Sequence, residues 1–144
     1  MRIRHPSAAA LALAAALATG GLASAEETKL TAELTGAEEV PPVETAATGT
    51  ADVTWNSETM ELSWTMEFSG LSGPATAAHF HGPAAPGENA GPVITIEDIE
   101  TPSEGSATLT EEQAAQLAEG MWYLNVHTAA NPSGEIRGQV HGGM

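Results

Sequence analysis

Between Met60 and Phe68 the chain alternates without a break. Met60, Leu62, Trp64, Met66 and Phe68 are apolar, while Glu61, Ser63, Thr65 and Glu67 are polar. A period of two sends all the apolar side chains to one face and all the polar ones to the other, which is a strand half-buried in an antiparallel sheet and not a helix. The same alternation sets Leu30, Ala32 and Leu34 against Lys29, Thr31 and Glu33, and Ala51, Val53 and Trp55 against Thr50, Asp52 and Thr54. Asn56-Ser57-Glu58-Thr59 supplies turn residues between two of these strands and predicts a hairpin. Further strands are predicted over 75–81, 93–99, 106–109, 121–127 and 135–140, with Gly/Pro-rich loops at 69–74, 82–91 and 101–105. Asn131-Pro132-Ser133-Gly134 joins the last two.

One segment departs from the pattern. Thr110-Glu111-Glu112-Gln113 reads as a capping box with acidic residues in the first turn, and Gly120 as a stop, so a short helix is predicted over 111–119. Seven or eight short strands with one small helix imply an all-β, antiparallel β-sandwich. Neither a repeat nor a linker divides the chain, and residues 26–144 read as a single domain. The tail His141-Gly142-Gly143-Met144 is expected to fray.

Residues 1–25 are set apart. Arg2 and Arg4 precede an apolar run rich in alanine and leucine, which closes on Ala23-Ser24-Ala25. These are the three parts of a secretory signal peptide, with cleavage expected after Ala25, and the run is too short to span a bilayer comfortably. The expected destination is the periplasm or the outside medium. Cleavage would leave Lys29 and Arg137 as the strong cations against all 19 carboxylates. Such a surface repels nucleic acid and anionic membranes, and neither is expected as a partner. The chain has no cysteine, so no disulfide supports the fold and no zinc–thiolate site can form.

The histidines carry the chemistry. His79 and His81 lie two apart on a predicted strand and so share a face, while Ala78 and Phe80 point to the core. A metal held there would sit on the outer face of a sheet, under the loops. His127 ends another strand, on the outward face with Tyr123 and Asn125, opposite the core residues Leu124 and Val126. If Ile136 and Val140 point inward, then Glu135, Arg137 and Gln139 share the outward face with His127. H-x-H alone is also what a pair of surface histidines looks like. A third imidazole favours a site for copper, with zinc possible, and the affinity order of divalent metals favours copper. Asn125, Glu135 or water are candidates for a fourth ligand. Met60 and Met66 lie on the core face of their strand and are not candidates. An N-terminal histidine brace is excluded, since Glu26-Glu27-Thr28 follows the cleavage point. Neither G-x-S-x-G nor a phosphate-binding glycine loop occurs, and no catalytic residue is assigned.

Across residues 29–140 the chain resembles the chordin-type (CHRD) domain family. The residues that carry the likeness are Leu34-Thr35-Gly36-Ala37-Glu38-Glu39-Val40-Pro41-Pro42, Ala77-Ala78-His79-Phe80-His81-Gly82-Pro83, Leu109-Thr110, Gly120, Tyr123-Leu124-Asn125-Val126-His127-Thr128 and Gly134-Glu135-Ile136-Arg137-Gly138-Gln139. That family is in turn weakly similar to copper/zinc superoxide dismutases. The resemblance implies a Greek-key, immunoglobulin-like or dismutase-like sandwich. It matches His79, His81 and His127 to three copper ligands and Arg137 to an anion-guiding arginine. A bridging histidine, a zinc loop and the dismutase cysteines are missing here.

Three functions follow as expectations. The first is an exported domain binding copper for storage, delivery or tolerance. The second is a secreted interaction or matrix domain without metal chemistry, and the third a dismutase-type copper redox enzyme. The metal ion is the expected partner; no protein partner is identified.

Overall fold

The computed structural model describes residues 26–142. The expected signal peptide, together with Gly143 and Met144, lies outside the described residues. Nine strands and one helix follow in the order β1 (Glu27–Thr35), β2 (Thr48–Asn56), β3 (Glu61–Ser69), β4 (Ala75–His81), β5 (Pro92–Thr95), β6 (Ser103–Thr108), α1 (Glu111–Ala118), β7 (Tyr123–Thr128), β8 (Ile136–Gln139) and β9 (His141–Gly142). A short 3-10 turn at Gly36–Glu38 follows β1. Every pairing is antiparallel.

The fold is all-β, as the alternation predicts. Hydrogen bonding runs along one continuous path, β5-β4-β7-β8-β1-β2-β3-β6, with β9 added to β1. The non-consecutive neighbours β4–β7, β1–β8 and β3–β6 are crossover connections. A narrow seam, Thr35 against Arg137, joins the two halves into a near-barrel. Gly138 makes that seam possible, because any Cβ there would collide with the backbone of Glu33 on β1. The halves fold face to face over a common core. Phe80 on β4 meets Trp64 on β3 edge to face, with ring centroids 5.0 Å apart, and Trp122 packs against Phe80 at 5.9 Å. Leu34, Leu62, Met66, Phe80, Leu124, Val126 and Ile136 are all fully closed to solvent. Apolar burial of this kind contributes roughly 25 cal/mol per Å2 and carries most of the fold's stability.

Local signals account for the helix. Thr110 Oγ1 accepts from the Gln113 backbone N–H, and Gln113 Oε1 accepts from the Thr110 N–H, so both arms of the capping box are formed. Gly120 then takes a left-handed φ of 76° as the helix stops. α1 turns Leu117 into the core. Its eight residues are far from a membrane span, and no described helix is long and apolar enough for one.

Some boundaries differ from expectation. β6 begins at Ser103 and not 106, because Ser103-Glu104-Gly105 pairs with Trp64, Thr65 and Met66 despite lacking an apolar face of its own. β5 is shorter than expected and ends at Thr95, although Ile96 still donates to Ala78 and is buried. The expected fraying of the tail is corrected at His141 and Gly142, which pair with Thr31 and Leu30.

Candidate metal centre

The parity of β4 decides the site. Ala78 and Phe80 enter the core with no exposure, which turns His79 and His81 to the opposite face. β7 lies beside β4 in a register that pairs His81 with Tyr123, His79 with Asn125 and Ala77 with His127. His127 is thus one step diagonal to His79 and leans towards it.

The three imidazoles meet. One ring nitrogen from each of His79, His81 and His127 lies within 4.8 Å of the other two. His79 Nδ1–H donates to His127 Nε2 at 3.1 Å. Nitrogens bound to one ion at about 2.0–2.1 Å lie roughly 3.3–4.2 Å apart, so the ring movement needed to close the set is on the order of 1 Å. A metal ion would take the place of the His79 proton.

The remaining ring nitrogens are committed to the backbone. His81 Nδ1–H donates to the Ala90 carbonyl at 2.9 Å, and His127 Nδ1–H donates to the Pro132 carbonyl at 2.9 Å. These bonds fix the tautomer and leave Nε2 of both rings as the nitrogen that carries a lone pair, the one on His127 turned to His79, an arrangement that orients histidine for metal. His81 Nε2 is closed to solvent and has no hydrogen-bond partner. An orphan acceptor of that kind costs on the order of 1–3 kcal/mol unless something fills it. Burial, followed by repulsion from the neighbouring rings, lowers the pKa of His79. Burial lowers that of His81 as well, against the opposing pull of the Ala90 carbonyl. Both rings are therefore held neutral, the state that binds metal.

A pile of flat groups supports His81. Its ring lies on Tyr123 at 4.8 Å with an interplanar angle of 4°, and the Arg137 guanidinium caps the far face of Tyr123 at 3.5 Å. Tyr123 is pinned in turn by Ala90, whose N–H donates to the phenol oxygen at 3.1 Å and whose carbonyl accepts from it at 3.0 Å. The peptide of Ala90 thereby ties the 82–91 loop to both rings.

The other expected site residues are placed differently. The register sets Arg137 opposite Asn125 as expected, but Arg137 is only 1% exposed. Its guanidinium donates to the Asn89 side chain at 3.0 Å and the Glu88 carbonyl at 2.6 Å. It anchors the 82–91 loop, and the residue expected to guide anions is closed to solvent. Glu135, expected among the candidate fourth ligands, is committed to hydroxyl and amide donors. It is fully buried but shallow, and its carboxylate accepts from Thr45, Ser72, Thr128 and Asn131, away from the histidines. Asn125 does lie beside the rings, 3% exposed, with its Oδ1 unpartnered.

Sequence reasoning missed Glu39. It sits at 6% exposure beneath Gly134, whose φ of 124° and missing Cβ leave room for Glu39 Oε2 and the Asn125 amide. Burial raises its pKa to about 7, although Arg137 and Asn125 pull the other way. The available signal was an acid set against Val40-Pro41-Pro42. A carboxyl raised from 4.5 favours folding while it is protonated. Its contribution is full below about 4.5 and lost as pH rises through about 7. Denaturant unfolding of the metal-free protein should show stability falling across that window, and Glu39→Gln should flatten the fall. Equal slopes in the two proteins would contradict the buried setting of Glu39.

Comparison with known proteins yields one likeness. The model of the CHRD domain family matches residues 30–140. No curated protein and no solved structure matches the chain, and the weak similarity to copper/zinc superoxide dismutases is not borne out.

Proposed function

This chain belongs to the CHRD-domain family, a membership that names a domain and no reaction, and we propose that it is an exported copper-binding module. It holds one ion through His79, His81 and His127 and serves storage, delivery or tolerance of the metal. Export rests on the three-part pattern of residues 1–25.

The observation that carries the reading is the convergence of three imidazoles, two of them locked by backbone carbonyls and one with a buried, unpartnered nitrogen. An all-imidazole donor set without thiolate suits copper and zinc, and the order of affinities favours copper. Bound copper would supply a redox-capable ion. The chain's own residues supply ligand orientation, through Ala90 and Pro132. The dismutase-type alternative draws no support from Arg137, which is buried among Glu88, Asn89 and Tyr123.

Competition titration of untagged protein with copper and zinc should give one tightly held copper per chain. The triple variant His79→Ala/His81→Ala/His127→Ala should lose it. Equal copper uptake by that variant would leave a secreted interaction or matrix domain without metal chemistry.

A further inference from the structure

Beside His81 lies a pocket of about 260 Å3, lined among others by Glu39, Asn89, Tyr123, Asn125 and Ser133. Three buried polar atoms of its lining residues have no partner: His81 Nε2, Asn125 Oδ1 and Glu39 Oε2. All three residues are more than nine-tenths buried. Native proteins rarely leave one such atom orphaned, and three in one pocket call for a common occupant. The three are acceptors, or accept in their committed state, because His81 donates through its other nitrogen. Asn125 holds its amide towards Ser133, at 3.4 Å, which leaves its carbonyl oxygen for the pocket.

We propose that this pocket is the open coordination position of the metal, occupied by a small protic ligand, water at rest, that binds the ion through oxygen and donates its two hydrogens to Glu39 and Asn125. His81 Nε2 is then satisfied by the metal, and the two oxygens by the bound water. The inference rests on the copper reading above. It adds a residue, Glu39, that touches the metal's exchangeable ligand but not the metal. It also sets the selectivity of the position: acceptors, one of them a carboxyl, favour donors such as water and hydroxyl compounds and oppose anions. The chemistry at the open position is therefore the reverse of an anion-attracting channel.

The probe is azide added to the copper(II)-loaded protein, followed by visible absorption and by pulsed electron paramagnetic resonance in deuterium oxide. The parent should show exchangeable deuterons of a bound water, which azide displaces. Measured well above pH 7, where the Glu39 carboxyl is ionised, Glu39→Gln keeps the shape and removes the charge, and should bind azide about tenfold more tightly, the scale of one screened charge near the ligand. Glu38→Gln removes the same charge one residue away at an exposed position, and should bind azide as the parent does. Copper held by the three histidines without an exchangeable water, or equal azide affinity in the parent and Glu39→Gln, overturns the inference and leaves the copper site standing. Failure of the parent to take up copper removes both.

Discussion

Alanine at His81 should weaken copper binding at least about a hundredfold, because removing a direct ligand exceeds the 10- to 100-fold typical of losing an outer partner. The effect should be larger than that of His79→Ala. His81 is the most enclosed of the three rings, at 8% exposure, and it is held from two directions by the Ala90 carbonyl and the Tyr123 face. Its position costs little to maintain on binding, and a water filling the gap left by alanine could not recover the same orientation. Thermal unfolding gives an independent reading. Copper at a hundred times its dissociation constant should stabilise the parent by about 2.7 kcal/mol. At the same concentration His81→Ala should gain almost nothing. A copper-induced stabilisation equal to the parent's would show that the ion binds elsewhere on the acidic surface.

Glu135→Ala should cost about 3 kcal/mol of folding stability, measured by denaturant unfolding. Its carboxylate accepts from Ser72 Oγ at 2.6 Å, Thr45 Oγ1 at 2.6 Å and Thr128 Oγ1 at 2.8 Å, and thereby ties the segment before β2, the 69–74 loop and β7 together. Hydrogen bonds to a charged group contribute more than neutral ones, and removing the acceptor strands donors that include the fully buried Thr128. Burial of this carboxyl opposes its ionised form, but the hydroxyl donors outweigh it and hold the pKa at about 2. A depressed carboxyl contributes stability above about 4.5 that is lost as pH falls towards about 2. The parent should therefore lose stability in acid across that window. Glu135→Gln should be less stable than the parent at neutral pH and should lack that part of the slope. An unchanged midpoint in both variants at neutral pH would contradict the network.

The two carboxyls show what a linear sequence discloses. Parity along each strand was legible, and with it the inward turn of Phe80, Leu124, Val126 and Ile136 and the shared face of His79, His81, Asn125, His127 and Arg137. Register across the last hairpin followed from matching the apolar faces. Periodicity could not disclose what covers the outward face. The 3-10 turn with Glu39 and the 82–91 loop fold over it, so residues that alternate like solvent-facing ones are buried. Arg137 is the plainest case: it is on the expected face, yet closed off by Glu88 and Asn89 and stacked on Tyr123. Glu135, one residue outside β8, turns away to the threonines instead of following the strand's parity. Loops obey no repeat, and their contacts are set by side chains far apart in sequence, such as Thr45 and Glu135. The helix was legible to within a residue because its signal is local, from Thr110 to Gly120.

Pulsed electron paramagnetic resonance of the copper(II)-loaded protein counts the imidazoles bound to the ion. Three coupled imidazoles are expected in the parent and two in each single alanine variant at 79, 81 or 127. A spectrum that keeps the same imidazole count when His127 is replaced would show that β4 and β7 do not share a metal, and the copper reading would fall.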